Sequence, residues 1–173
     1  VLIQAATGSG KTRTGLEIVL RHLARSPRHR VIWFAHRDEL VEQPLGKLRA
    51  WGAPVAALRP GEQQDASARV LVASIQTTLR RGVDELGPRT LVVYDECRRY
   101  SVGAAEWHAV ALAAGAGVHR LGLDATPTGD LRPLFRHMLH GPSVAALTAA
   151  GFLVPAVHIG PVVESERMTI DPI

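Results

Sequence analysis

The sequence predicts an α/β fold in which a mostly parallel central sheet lies between layers of helices. Three observations lead there. Short apolar, β-branched runs alternate along the chain with longer helix-like segments, the pattern of parallel strands joined by crossover helices. A glycine-rich stretch, AATGSGKT at residues 5–12, stands between the first apolar run and the first helical segment. Two adjacent carboxylates, Asp95 and Glu96, follow the run Leu91-Val92-Val93-Tyr94, where a buried strand would end.

Taken in order, Val1–Ala5 reads as the first strand and Lys11 to about Arg25 as a helix. That helix sets Leu16, Val19, Leu20 and Leu23 on one face, and Ser26-Pro27 ends it. Val31–Ala35 is a second strand, and Asp38 starts a helix towards Trp51. Pro44 inside it predicts a kink or a late start, because proline has no N–H to donate and crowds the preceding turn. Val55–Leu58, Arg69–Ala73, Thr90–Tyr94 and His119–Leu123 read as further strands, and Ile75–Arg81 and Ala104–Ala113 as helices. Beyond Pro127 the spacing predicts a helix over Leu131–Leu139 and a shorter one over Val144–Ala149, then an apolar stretch Phe152–Ile159. Residues 1–159 make one domain on this reading, and 160–173, opening on Gly160-Pro161, make a linker.

The 173 residues suffice for one domain with a sizeable core. At 46% hydrophobic and 21% charged the chain is globular in composition rather than disordered, and no apolar run is long enough to span a bilayer, so no membrane association is expected. The opening VLIQAATG has neither an initiator Met nor a charged leader, and so reads as a piece of a longer chain rather than a signal peptide. Cys97 is the single cysteine, which excludes a disulfide or a cysteine-based zinc site within this chain and suits a cytoplasmic setting. The eight histidines are scattered, and His137 and His140, three apart on the expected helix, have no third ligand. Net charge is +4, and all but Lys11 and Lys47 of the 20 basic residues are arginine. A basic surface suits a phosphate backbone, although an arginine-rich composition gives the same balance without one.

In AATGSGKT the glycines let the backbone curl so that several N–H groups point inward, and the helix that follows adds the positive end of its dipole. Such a loop cradles phosphate. Lys11 can reach the β- and γ-phosphates of a nucleoside triphosphate, the Thr12 hydroxyl can ligate Mg²⁺, and Thr7, Gly8, Ser9 and Gly10 supply the wrapping backbone. The acidic pair then has a purpose. In phosphate-loop enzymes a strand-end aspartate holds Mg²⁺, and a neighbouring carboxylate orients and deprotonates the attacking water. Asp95 suits the first role and Glu96 the second.

The position four residues before the Gly-Lys pair is Ala5, and the form A-x-x-G-x-G-K-T is similar to that of superfamily two helicases and translocases. Further blocks match in order. VIWFAHRDELVEQ resembles motif Ia, VLVASIQTTLRR the segment before motif II, LVVYDECRRY motif II, LGLDATPTGD motif III, and AALTAAGFLVPA the end of the domain. The chain thus resembles the first RecA-like domain of a superfamily two DEAD/DEAH-box helicase. Within that superfamily it is similar to the group that includes restriction-enzyme motor subunits and excision-repair helicases.

The resemblance implies a phosphate-loop, RecA-like three-layer sandwich that binds ATP and Mg²⁺ and couples hydrolysis to movement on nucleic acid, DNA rather than RNA. It also implies a second RecA-like domain in the same polypeptide. It gives Arg37 and Thr77 contacts with the nucleic-acid backbone. Without the second domain, and the arginine finger that contributes a factor of about 10³–10⁵ in related hydrolases, residues 1–173 alone are expected to bind Mg-ATP weakly and turn it over slowly or not at all. Two positions depart from the pattern. Arg98 stands where motif II has histidine, and Asp124 where motif III has Thr or Ser. The two motifs touch in the family, so Arg98 and Asp124 are expected to form a charge-assisted hydrogen bond, with Thr126 beside them, that preserves the coupling. Arg99 is expected at the surface. The alternative function is a nucleotide-dependent nucleic-acid-binding module that does not cycle. A small-molecule kinase of the phosphate-loop class leaves AHRDELVEQ and DATP unexplained.

Overall fold

The structure, a computed structural model, describes residues 1–36, 38–61, 65, 67–81, 86–113, 115 and 117–155. Among the described residues seven strands form the sheet: β1 (Leu2–Gln4), β2 (Arg30–Ala35), β3 (Val55–Leu58), β4 (Val70–Ser74), β5 (Thr90–Asp95), β6 (His119–Asp124) and β7 (Met138–His140). Their order across the sheet is β3-β4-β2-β5-β6-β1-β7, and every neighbouring pair is parallel. The helices are α1 (Lys11–Ala24), α2 (Asp38–Ala50), α3 (Ile75–Arg81), α4 (Ala105–Ala113) and α5 (Val144–Ala149), and a one-turn 3₁₀ helix covers Cys97–Tyr100.

The sheet is apolar on both faces, as a parallel sheet sandwiched between helices must be. Alternation along β2 sorts the two sides. Val31, Trp33 and Ala35 face α1 and α2 and pack in one core with Leu16, Val19, Val41, Leu45 and Leu48. Ile32 and Phe34 point the other way and join Tyr94, Tyr100, Ala111 and Phe135 in a second core. With helices on both faces, the architecture is the expected three-layer sandwich.

Two local expectations change. The segment expected to form a helix over Leu131–Leu139 instead makes a turn and then strand β7. The apolar spacing is helical, but β1 has an edge whose backbone groups need partners. The Leu2 N–H donates to the His137 carbonyl at 2.8 Å, and the Gly141 N–H donates to the Gln4 carbonyl at 2.7 Å. His137 and His140 therefore do not share a helix face. At Pro44 the late start is not found: α2 runs from Asp38 through the proline to Ala50. Val41, Leu45 and Leu48, each fully buried, hold the helix to the sheet on either side of it.

At the end of the sheet opposite the glycine loop, His22 is buried and stacks on His29 with ring centroids 4.4 Å apart. Its Nε2 meets the Arg89 carbonyl at 3.0 Å, so that nitrogen carries the proton and donates. Burial pushes the His22 pKa below the ordinary 6.5, and the charges of His29 and His119 add to this, against the opposing pull of the Arg89 carbonyl. A histidine with a lowered folded pKa favours the fold while neutral. Its contribution is complete above 6.5 and is lost as the pH falls towards the folded value, because the unfolded chain takes up the proton first. Thermal melts below pH 6.5 are thus expected to show a decline that is shallower in His22→Gln, which keeps a donor but does not titrate.

Candidate active site

The reactive residues gather at one end of the sheet because every strand runs the same way. In an open parallel sheet the carboxyl ends of the strands line the ligand crevice. β1 delivers the glycine loop, β5 delivers Asp95 and Glu96, and β6 between them delivers Asp124. The register sets Gln4 beside Asp124 and Asp95 beside Leu123. With neighbouring strands ~4.8 Å apart, β1 and β5 lie about 10 Å from each other across β6.

In the loop, the Ala5 N–H donates to the Asp124 carbonyl at 3.0 Å and fixes where the curl begins. Gly8 and Gly10 hold left-handed backbone, φ +79° and +88°, which a side chain would strain. Gly10 is the N-cap of α1 but offers no side-chain cap, and the first turn holds no acidic residue. The N-terminal N–H groups of α1 are therefore left for an anion. Lys11 Nζ donates to the Ala6 carbonyl at 3.1 Å, holding the ammonium against the loop it serves. The Ser9 hydroxyl oxygen is buried there without a hydrogen-bond partner. Leu153, just past α5, lies so close over the loop that a Cβ added to Gly8 would be 3.1 Å from its Cδ2.

Across the crevice, burial and then the charge of Glu96 raise the Asp95 pKa to about 6, although Lys11 pulls it down. The buried Trp33 indole N–H lies beside Asp95 and draws its pKa down, short of hydrogen-bonding geometry. Trp33 falls within the strand Val31–Ala35, and its indole nitrogen is the one polar side-chain group in that run. Glu96 is the single described non-glycine residue with positive φ, at φ 54° and ψ 53°, a backbone state that costs about 1 kcal/mol or more. This turn swings its carboxylate off the line of β5. Oε2 of Glu96 is buried and accepts no hydrogen bond, but the Arg98 Nη2 charge stands 2.8 Å away.

Arg98 and Asp124 meet as expected. The Arg98 Nη1 donates to Asp124 Oδ1 at 3.0 Å and to Thr126 Oγ1 at 3.3 Å, and the Arg98 backbone N–H donates to Asp124 Oδ2 at 2.8 Å. The Thr126 N–H adds a bond to Oδ1 at 3.0 Å. Asp124 is completely buried, so these donors are what keep its charge tolerable. Cys97 is buried too; burial and then the Asp124 charge push its thiol well above the ordinary range, so it is no nucleophile.

Other expectations fare differently. Thr77 lies in α3 with its hydroxyl buried and unpartnered, so a direct contact from that oxygen to nucleic acid is not available in this conformation. Arg99 is not a plain surface residue: its guanidinium lies 5.9 Å over the Trp107 ring. Arg37, the second half of the Phe152–Ile159 stretch and the linker 160–173 lie outside the described residues.

Mg²⁺ and a triphosphate suit what is present: uncapped helix N–H groups, a buried hydroxyl without a partner, and an aspartate that Lys11 reaches with its charge but does not pair with. Removing that charge is expected to stabilise the nucleotide-free protein. Asp95→Asn should melt a few degrees higher at neutral pH yet lose Mg²⁺-dependent nucleotide affinity, as read by thermal melts and nucleotide titrations.

A glycine loop and an acidic pair at the carboxyl ends of two strands that flank a third, in an all-parallel sheet, define a RecA-like domain of the phosphate-loop class. The sequence model of the type III restriction enzyme res subunit family matches residues 1–129, and the chain belongs to that family. The fold is similar to the Hef helicase domain from Pyrococcus furiosus, with a TM-score of 0.66 and 24% identity over 81% of this chain and 34% of that one. It is also similar to the UvsW helicase from bacteriophage T4, with a TM-score of 0.64 and 14% identity over 81% of this chain and 54% of that one. The chain thus spans about a third to about half of those proteins. Comparison with the curated proteins gives no significant match. The molecule is a first RecA-like domain of the superfamily two helicase type. None of its described helices is long and apolar enough to cross a membrane.

Proposed function

We propose that this domain binds Mg-ATP and, within a longer polypeptide that supplies a second RecA-like domain, hydrolyses it to drive movement on DNA. One observation carries the reading: the loop ending in Lys11 and Thr12 and the pair Asp95–Glu96 leave strands that flank β6, at the same end of the sheet. Lys11, Thr12 and the N–H groups at the start of α1 bind the phosphates, and Asp95 with Thr12 holds the metal. Bound Mg²⁺ supplies charge neutralisation at the phosphate oxygens. Glu96 orients a water for in-line attack and takes its proton on the carboxylate oxygen that Arg98 does not hold, Oε2 being buried against that guanidinium. Arg37, at the β2–α2 junction in sequence, is assigned to the DNA backbone by the family resemblance, and residues 160–173 to the connection between domains.

The Arg98–Glu96 ion pair favours one other reading, a domain that clamps nucleic acid in response to nucleotide without cycling, because the base is held in it. Steady-state ATP hydrolysis by the full-length protein, with and without DNA, separates the two. Turnover stimulated by DNA is the expected result; nucleotide binding with no turnover under either condition would establish the clamp instead.

A further inference from the structure

We propose that Arg98 is a positioning residue for Glu96, and that Asp124 serves to anchor Arg98. The proposal rests on the reading of Glu96 as the base and goes beyond it by tying that carboxylate to the segment 124–126 through one guanidinium. The two ends of that guanidinium are held unequally. On one side Nη1 meets Asp124 Oδ1 and Thr126 Oγ1, and the Asp124 carboxylate is itself fixed by the backbone N–H groups of Arg98 and Thr126. On the other side Nη2 stands 2.8 Å from Glu96 Oε2 without hydrogen-bonding geometry. The Asp124 side is a buried, satisfied anchor, and the Glu96 side is a looser charge contact on a residue already in left-handed backbone. Arg98 therefore sets where the Glu96 carboxylate rests, and a shift of residues 124–126 carries it along.

Arginine suits this task because its planar fork spans two acceptors at once, whereas a lysine ammonium satisfies them only as a point charge. The two residues form one device. Asp124 without Arg98 is a buried charge lacking its cation, and Arg98 without Asp124 keeps only the longer bond to Thr126 Oγ1 on that side.

The test uses the full-length protein and four variants: Arg98→Ala, Arg98→Lys, Asp124→Ser and the double variant Arg98→Ala/Asp124→Ser. Four quantities are measured for each, namely DNA-stimulated kcat, KM for ATP, affinity for ADP, and affinity for ADP with aluminium fluoride, which mimics the transferring phosphoryl group with its in-line water. Displacement of the base by about 1 Å is expected to lower kcat about 10–100-fold with KM and ADP affinity unchanged, and to weaken the aluminium fluoride complex in parallel. The double variant is expected to lose no more than either single one, since the two act as a unit. It also removes the uncompensated buried charge that threatens folding of Arg98→Ala. Lysine is expected not to restore kcat.

Unchanged kcat in the double variant, losses that multiply between the single variants, or an equal loss of ADP affinity would each overturn the proposal, the last by making the role merely structural. Full rescue by Arg98→Lys would overturn it as well, by showing that charge without bridging is enough. A wild-type protein that binds neither ADP nor the aluminium fluoride complex would remove the nucleotide reading itself and this inference with it. A wild type that turns over ATP confines any failure to Arg98.

Discussion

Glu96→Gln is expected to abolish turnover by the full-length protein while leaving its affinity for nucleotide intact. Glutamine keeps the size and the hydrogen-bonding reach of the side chain but cannot take a proton from water. Positioned proton transfer contributes about 10²–10⁴-fold, so the loss should fall in that range. Affinity should hold because Lys11, Thr12 and the start of α1, which grip the phosphates, lie across β6 from position 96. The amide also lacks the charge that faces Arg98, yet the Asp124 anchor remains, so folding is not at stake. Single-turnover kinetics with nucleotide titrations checks both halves. Turnover near the wild-type rate would remove Glu96 from the chemistry.

The second large effect is on stability. Gly15 sits in α1 one turn beyond Lys11, and a Cβ built there would lie 2.7 Å from Leu123 Cδ1 and 2.9 Å from a Trp33 ring carbon. Both neighbours are completely buried, so neither can swing clear. In an exposed helix interior, replacing glycine stabilises by roughly 1 kcal/mol. Here the contact reverses the sign, because overpacking a core costs about 1–3 kcal/mol or more. Gly15→Val should lower Tm by about 5–10 °C, using ~2–4 °C per kcal/mol for a domain of this size. Nucleotide affinity should drop with it, since α1 cannot back away from the sheet without moving Lys11 and Thr12. Thermal melts and nucleotide titration read the two effects, and a Gly15→Ala protein as stable as wild type would contradict the close packing of α1.

Much of this molecule could be read from its sequence, because most of its elements follow one dominant signal. The buried strands are β-branched runs, and the glycine loop and acidic pair sit where such runs end. Where two signals compete, the sequence misleads. Leu131, Leu134, Phe135, Met138 and Leu139 have helical spacing, yet the unpaired edge of β1 draws residues 138–140 into the sheet. Pro44 argues against an unbroken helix, yet the buried leucines around it prevail. The Arg98–Asp124 pair was legible because both positions depart from the family pattern in opposite charge. Its extension to Glu96 was not, because the left-handed turn that brings the carboxylate back to Arg98 has no mark in the residue type. Nor did the spacing of Thr77 reveal that its hydroxyl faces inward.

The closeness of Leu153 to Gly8 sets a steric limit at the glycine loop. A β-carbon on the glycine that shapes the phosphate cradle would crowd one leucine methyl from just past α5. Any residue but glycine at position 8 is therefore penalised twice, by its positive φ and by the leucine above it.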